Sequence, residues 1–213
     1  MAKMKIRVHE TKKQEALEDY SEEVQQMVQE LAEETGNDLG SVELDGTAPG
    51  QGLHVRFGDA EYYCYARHID AELASSAGVK KTLKVLGLEG LDMDIEPFVD
   101  VGWFDDKKRD YAEFYVHNIK VSDPQRYKKE FGDLDEEEAM DKYLEDEEDD
   151  SILWYINNYG QKDFYNLIKA QGLVDMDALA DAITEADGPA NELARYDGVE
   201  IELPCGYYCY RVE

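Results

Sequence analysis

A block of negative charge occupies the middle of the sequence. Residues 130–150, EFGDLDEEEAMDKYLEDEEDD, contain 13 acidic residues among 21, and Lys142 is the only basic one. Carboxylates are rarely buried without partners, because removing them from water is costly. Any fold of this chain must therefore keep this segment, which we call the acidic block, largely at the surface. The apolar and aromatic segment SILWYINNY follows directly and is typical of a segment that packs or binds.

The acidity extends beyond this block. The 213 residues include 50 acidic and 22 basic side chains, giving a formal net charge of −28, yet 43% of the residues are hydrophobic. This hydrophobic content predicts a real core rather than a disordered acidic tail. The charge repels nucleic acids and anionic membrane surfaces and attracts basic partners. Adaptation to high salt explains it less well, because the 15 lysines outnumber the 7 arginines.

The three cysteines, Cys64, Cys205 and Cys209, form neither an even framework nor a CxxC pair. No histidine or fourth thiol lies near them in sequence, so they predict reduced thiols rather than a disulfide or zinc site. The first segment, MAKMKIRVHETKK, lacks the apolar core of a signal peptide, and no apolar run approaches the ~20 residues of a membrane span. We therefore expect a cytoplasmic protein with no membrane contact.

The patterning predicts an α+β fold, with small antiparallel sheets or hairpins packed against helices. Residues 1–120 are predicted to form an N-terminal α+β domain. It begins with a strand at Met4 to Val8 and a helix from Thr11 to about Glu34, whose apolar residues recur at helical spacing. Two short helices, broken at Gly78, are predicted in 69–88.

Two hairpins are predicted in this first domain, at 53–67 and at 95–117. In the first, alternation sends Tyr62 and Cys64 to one face and Tyr63 and Tyr65 to the other. The second is predicted from its aromatic and β-branched residues, with DDKKRD as the connection between strands.

Residues 121–213 are predicted to form a mainly helical acidic domain closed by a C-terminal hairpin. Ser122-Asp123-Pro124 is a helix start. After the acidic block, helices are expected at 151–159, 161–171 and 175–187. The tetrapeptide YYCY occurs at both 62–65 and 207–210. Either two related α/β units, roughly 1–90 and 120–213, arose by duplication, or two hairpins share similar packing needs.

Catalytic motifs are lacking in the sequence. There is no GxSxG, HExxH, kinase signature or phosphate-binding loop, and the four histidines are scattered. The acidic positions Asp92, Asp94 and Glu96 resemble the start of a calcium loop, but Pro97 stands where that loop requires glycine. We expect no catalytic residue, metal site or cofactor. A hydrolase with a carboxylate pair stays open, because 50 acids always offer pairs.

The charge density of the acidic block approaches that of DNA. As a continuous helix, its 21 residues would span ~32 Å, or one carboxylate per ~2.4 Å, against one phosphate per ~1.7 Å of duplex axis. We therefore predict a partner-binding surface made of the block's acids and the first aromatic residues after it. Its members are Asp133, Asp135, Glu136, Glu137, Glu138, Asp141, Glu145, Asp146, Glu147, Glu148, Asp149, Asp150, Trp154 and Tyr155.

The net charge, the α/β content and the C-terminal segment LARYDGVEIELPCGYYCYRV resemble the ArdA antirestriction family, DNA mimics carried by phages and mobile elements. The motifs Ala186-Asp187-Gly188, Tyr196-Asp197-Gly198 and Tyr210-Arg211 also look like the endings of tailed-phage proteins of unassigned role. The resemblance implies an inhibitor in the host cytoplasm that binds a DNA- or RNA-handling defence complex, such as a restriction enzyme or CRISPR effector.

Two non-enzymatic functions follow from these observations. The first is an inhibitor whose carboxylates replace nucleic-acid phosphates on a basic nucleic-acid-binding protein or complex, without binding nucleic acid itself. The alternative is a structural or regulatory phage adaptor whose acidity serves solubility. A homodimer is compatible with either function.

Overall fold

The computed structural model describes residues 17–147 and 149–213. The predicted strand at Met4 to Val8 and the helix start at Thr11 lie outside the described residues. Within the described part, the helices are α1 Glu22–Thr35, α2 His68–Leu86, α3 Val101–Ser122, α4 Pro124–Phe131, α5 Glu136–Asp146, α6 Ser151–Tyr159, α7 Gln161–Gln171, α8 Met176–Asp187 and α9 Ala190–Leu193. The strands are β1 Val42–Asp45, β2 Leu53–Phe57, β3 Ala60–Tyr65, β4 Glu200–Glu202 and β5 Tyr208–Arg211.

The predicted α+β class is confirmed. The five strands form one antiparallel sheet in the order β1-β2-β3-β5-β4. The hairpin predicted at 53–67 is β2 and β3, and the C-terminal hairpin is β4 and β5. Since β3 pairs with β5, the two YYCY segments are neighbouring strands of one sheet, with Cys64 opposite Cys209.

The sheet has an apolar layer on each face, as the alternation in β3 predicts. On one face, Tyr62 and Cys64 join a core with Met27 and Leu31 of α1. On the other, Tyr65 packs in a cluster with residues of α2, α9 and β5, namely Ala71, Ala74, Leu193, Ala194 and Tyr210. Successive strand side chains point to opposite faces, so one six-residue strand contributes to both layers.

The hairpin predicted at 95–117 is wrong. Apart from a short 3₁₀ helix at Glu96–Phe98, the segment belongs to α3, a 22-residue helix. Phe104, Ala112, Val116 and Ile119 are all buried, and their spacing by multiples of three or four places them on one helical stripe. The helical spacing of these buried residues outweighs the strand preference of the aromatic and β-branched residues, of which Val101 and Phe114 are exposed on α3.

The break predicted at Gly78 is also wrong, because α2 continues through it. A Cβ atom built on Gly78 would lie 2.6 Å from Oε1 of Glu192. The glycine therefore permits close approach of a neighbouring side chain and does not interrupt the helix.

The chain separates into two compact units that differ from the predicted division at residue 120. One unit holds the described residues up to Lys81 together with Ala180–Glu213, and the other is Thr82–Leu179. The physical reason lies in the sheet: the C-terminal hairpin pairs with β3, which places the end of the chain in the same unit as the first hairpin.

The unit Thr82–Leu179 is built of helices around α3. Helices α4, α5 and α6 each pack against α3, and α7 packs against α6. The helix start predicted at Ser122-Asp123-Pro124 is confirmed, since Asp123 accepts a hydrogen bond from the Arg126 amide and Pro124 opens α4. The helices predicted at 151–159, 161–171 and 175–187 correspond to α6, α7 and α8.

Candidate functional site

The acidic block is divided into four parts by its capping residues. It covers the end of α4, a loop after Gly132, all of α5 and the residues that precede α6. Helix α5 ends at Asp146, and Glu147 is its C-cap residue in an extended conformation. The block is therefore not one continuous helix, and the 11-residue α5 is its longest helical part.

Several acids of the block cap helices. Asp135 is the N-cap of α5: its carboxylate accepts a hydrogen bond from the Glu138 amide at 3.0 Å, and the Glu138 carboxylate accepts one from the Asp135 amide at 3.2 Å. Asp150 caps α6 by accepting hydrogen bonds from two successive amides at 2.8 and 3.1 Å. These carboxylates stabilise the helices that carry the remaining acids.

Other acids of the block are paired with cations. Glu136 lies 3.1 Å from Lys120 and 3.4 Å from His117, both on α3. The hydrogen bond from Lys120, followed by that from His117, lowers the pKa of the Glu136 carboxyl. Asp133 lies 3.6 Å from Lys128 in an exposed pair. These contacts attach the start of α5 to its neighbours.

A row of unpaired carboxylates lies along α5. Glu137, Asp141 and Glu145 are exposed and follow one another at intervals of four residues, so they share one side of the helix. None of them makes a hydrogen bond or an ion pair with a described residue. We call these three residues the acidic face. Asp146 and Asp149, also exposed, continue the charge beyond it.

Lys142, the one basic residue of the block, contacts a main-chain group and not the acidic face. The ammonium group of Lys142 donates a hydrogen bond to the main-chain carbonyl of Glu130 at 2.9 Å. This carbonyl belongs to the last turn of α4, where lysine commonly satisfies a free acceptor. Lys142 therefore does not neutralise the acidic face.

Helix α3 supplies further acids beside α5. A groove of about 380 Å³ is lined by Arg109, Asp110 and Glu113 of α3 and by Glu136 and Glu137 of α5, with two apolar residues beneath. Arg109 brings positive charge into this groove, so its lining is mixed but acidic on balance. Sequence analysis missed the α3 acids because their segment was assigned to a hairpin. The helical spacing of the buried residues in α3 was the signal that could have identified them.

Aromatic side chains hold α5 against the rest of its unit. The rings of Tyr115 and Tyr143 have centroids 4.9 Å apart, and Tyr111 lies near both. Burial, followed by the hydrogen bond to Glu147, raises the pKa of the Tyr143 hydroxyl. Glu147 is half-buried and accepts this hydrogen bond, so it too has a structural contact.

The predicted role of Trp154 as a surface anchor is wrong. Its side chain is only 1% exposed and packs edge-on against Tyr111, with ring centroids 5.5 Å apart. Its indole Nε1 is buried without a hydrogen-bond partner. Tyr155 is half-buried against Phe104, so it offers only part of its ring. Glu148 lies outside the described residues.

Catalysis by a carboxylate pair would require a carboxyl with a raised pKa. Among the carboxyls with a resolved shift, only the pKa of Glu96 is raised; burial is the main cause, followed by Asp94 and Asp150. Glu96 lies on a short 3₁₀ helix and does not line the groove between α3 and α5. Within residues 17–147 and 149–213, no three His, Cys, Asp or Glu side chains are arranged to hold a metal ion.

The histidines of the described chain make ordinary polar contacts. Buried His54 lies 3.1 Å from the Thr47 hydroxyl and 3.0 Å from Glu61. His68 lies between Glu72 and Glu200. With His117 bound to Glu136, these contacts account for each histidine structurally.

Comparisons with known proteins give no relative. No protein-family model matches the chain, and neither a curated protein nor a solved structure matches it. In the part of the chain that the structure describes, every helix is too short or too polar to cross a bilayer.

Proposed function

We propose that this protein is a non-enzymatic inhibitor that presents carboxylates in place of nucleic-acid phosphates. The observation that carries the proposal is the acidic face of α5, in which the carboxylates of Glu137, Asp141 and Glu145 form an exposed row with no hydrogen-bond or ion-pair partner among the described residues. A row of like charges is unfavourable within a helix. Binding of these charges to a basic surface would explain why a helix carries an unfavourable row of carboxylates.

The spacing of these charges supports a phosphate-like surface. Intervals of four residues place successive carboxylates of the acidic face ~6 Å apart along the helix axis. Counting every acid from Asp135 to Asp146, seven carboxylates occupy ~18 Å, or one per ~2.6 Å. Duplex DNA carries one charge per ~1.7 Å of axis, so the densities differ by less than a factor of two.

The groove beside α5 adds carboxylates of α3. Asp110 and Glu113 of α3 line it together with Glu137 of α5, so both helices contribute carboxylates to a groove that also contains Arg109. Asp110 is partly compensated by Lys107 at 3.0 Å, an exposed pair that contributes little. A partner whose lysines or arginines follow a nucleic-acid backbone could use the carboxylates of both helices.

The partner class is a basic nucleic-acid-binding protein or complex. Its attraction would extend beyond the acidic face, because the unit Thr82–Leu179 contains 26 acids against 11 bases. The ArdA resemblance favours a host defence complex, such as a restriction enzyme or a CRISPR effector. A cytoplasmic location in the host is part of the same proposal.

Affinity capture from host lysate tests the proposal directly. The full chain is immobilised, and lysate is applied at about 50 mM and about 500 mM salt, since counterion-driven binding falls steeply over this range. Captured protein is then challenged with double-stranded DNA. We expect a DNA- or RNA-handling complex that binds at low salt and is released by DNA. Capture that is unchanged by salt concentration and by added DNA would contradict the proposal and favour the adaptor function.

A matched pair of variants identifies the surface. The first replaces the acidic face: Glu137→Gln, Asp141→Asn and Glu145→Gln. The second removes the same charge from exposed acids of α1: Glu22→Gln, Glu33→Gln and Glu34→Gln. Capture should fall at least tenfold for the first variant and little for the second. An equal loss in both would mean that net charge, not the acidic face, causes binding.

A further inference from the structure

Two of the three cysteines stand directly opposite each other on the central strands. The register pairs Cys64 of β3 with Cys209 of β5. The Val212 amide donates to the Glu61 carbonyl at 2.8 Å, so 61 and 212 occupy a hydrogen-bonded position, and the Glu61 amide donates to the Glu213 carbonyl beyond it. Because such pairs alternate in antiparallel strands, 64 and 209 form a non-hydrogen-bonded pair.

The pairing of β5 with β4 leads independently to the same assignment of Cys209 as a non-hydrogen-bonded position towards β3. The Leu203 amide donates to the Tyr207 carbonyl at 2.8 Å, so 203 and 207 are a bonded pair of β4 and β5. Two residues along, Cys209 therefore directs its main-chain groups towards β4 and not towards β3. At non-hydrogen-bonded positions, Cα atoms lie ~4.5 Å apart and the side chains are close. A disulfide requires Cα atoms roughly 4.4–6.8 Å apart.

The two thiols are in contact in a buried site. Cys64 is 1% exposed and Cys209 is 0% exposed, both in the core beneath α1. Burial, followed by a hydrogen bond with Cys64, raises the pKa of the Cys209 thiol. Packing alone would need only two small apolar side chains. Instead, two thiols occupy the one arrangement in an antiparallel pair that brings their sulfur atoms together.

We propose that Cys64 and Cys209 are a dithiol that forms a reversible disulfide between β3 and β5. The oxidant is a low-molecular-weight disulfide such as oxidised glutathione. One cysteine, as thiolate, attacks it, forms a mixed disulfide and releases one glutathione; the second cysteine then displaces the other glutathione. The two cysteines lose two protons and two electrons, which oxidised glutathione takes up to become two reduced glutathiones.

The bond would link the first hairpin of the sheet to the last. Cys64 belongs to the first hairpin and Cys209 to the last, so the closed loop contains most of the sequence. Closing so long a loop restricts the unfolded chain strongly, and in a chain of this size it should raise the melting temperature by about 5–10 °C. The Cα spacing typical of non-hydrogen-bonded positions, ~4.5 Å, lies at the short end of the disulfide range, which favours a bond that thiols can reduce again.

Refolding in a redox buffer tests the proposal without depending on access to the buried site. The full chain is unfolded in urea, refolded in mixtures of reduced and oxidised glutathione, and alkylated before mass spectrometry. We expect a disulfide between Cys64 and Cys209, with Cys205 alkylated. Three alkylated cysteines at every glutathione ratio, or a bond that includes Cys205, would overturn the proposal.

Two further measurements exclude indirect explanations. Cys205→Ser should keep the disulfide, whereas Cys64→Ser should abolish it. If Cys64→Ser does not fold, mass spectrometry of peptides from the unsubstituted protein still shows which cysteines are joined. The melting temperature is measured for oxidised protein before and after dithiothreitol. Equal melting temperatures would refute the stabilising role of the bond.

Discussion

The two ends of α5 should respond oppositely to the loss of negative charge. Near the C-terminus, Glu145 and Asp146 lie in a last turn that contains no basic residue. Near the N-terminus, Glu137 and Glu138 lie in the first turn, where the helix dipole favours negative charge. Glu145→Gln with Asp146→Asn should therefore stabilise the protein, whereas Glu137→Gln with Glu138→Gln should destabilise it.

The structure sets the size of each effect. Each carboxylate at the C-terminal end costs ~0.3–1 kcal/mol through the dipole, so removing two gains about 0.6–2 kcal/mol. The variant also loses the repulsion between Asp141 and Glu145, ~0.2–0.5 kcal/mol, which adds to this gain, because the Lys142 ammonium binds the Glu130 carbonyl and not Asp146. For the N-terminal pair, the dipole loss exceeds the relieved repulsion by about 0.5–1.5 kcal/mol.

Urea unfolding and thermal unfolding, each followed by far-ultraviolet circular dichroism, measure the free energy and the melting temperature of both variants. The stabilised variant should melt roughly 1–8 °C higher at low ionic strength. At about 1 M salt both differences should shrink, because screening then acts over ~3 Å. The reasoning would be refuted if both variants shifted in the same direction, since removing two charges would then matter regardless of position.

Three further perturbations test particular contacts. Gly52→Ala places a Cβ 2.6 Å from a ring carbon of buried Tyr65, and we expect a loss of about 1–3 kcal/mol in the free energy of unfolding. Asp150→Ala removes two hydrogen bonds to the first amides of α6 and should cost about 0.5–2 kcal/mol in the same measurement. The lowered pKa of Glu136 depends first on Lys120, so Lys120→Gln should raise the pKa of the Glu136 carboxyl in an NMR titration. The stability linked to this pair is present above the usual carboxyl pKa of 4.5 and is lost as the pH falls through the pKa of the folded state.

The first two of these predictions have a control within the chain, and the third has a result that would contradict it. Gly46→Ala meets no atom within 4 Å and should change stability little, so an equal loss there would argue against a steric cause at Gly52. Asp149→Ala removes an exposed neighbour of Asp150 and should leave α6 intact. An unchanged Glu136 midpoint in Lys120→Gln would contradict the assigned ion pair.

Local signals in the sequence predicted much of the fold. The alternation of Tyr62, Tyr63, Cys64 and Tyr65 identified both faces of β3, since strand side chains alternate whatever their surroundings. Asp123 with Pro124 identified the start of α4, because capping depends on residues a few positions apart. The surface position of the acidic block followed from the cost of burying carboxylates.

Local signals failed where two of them competed. The segment 95–117 contains residues that favour strands, but its apolar residues recur at helical intervals, and packing along α3 decided in favour of the helix. Trp154 was expected at the surface because it follows the acidic block. It is buried because the neighbouring helices direct that side of α6 into their aromatic core.

The sequence by itself determined that this protein is strongly acidic, folds as α+β and keeps its acidic block exposed, because charge and short-range periodicity are properties of the chain alone. Only the tertiary structure decided which carboxylates are free. It assigned Asp135 and Asp150 to helix caps and left the carboxylates of Glu137, Asp141 and Glu145 without a partner in residues 17–147 and 149–213. It also placed Cys64 opposite Cys209, a pairing of distant residues that depends on strand order and register, which no local pattern specifies.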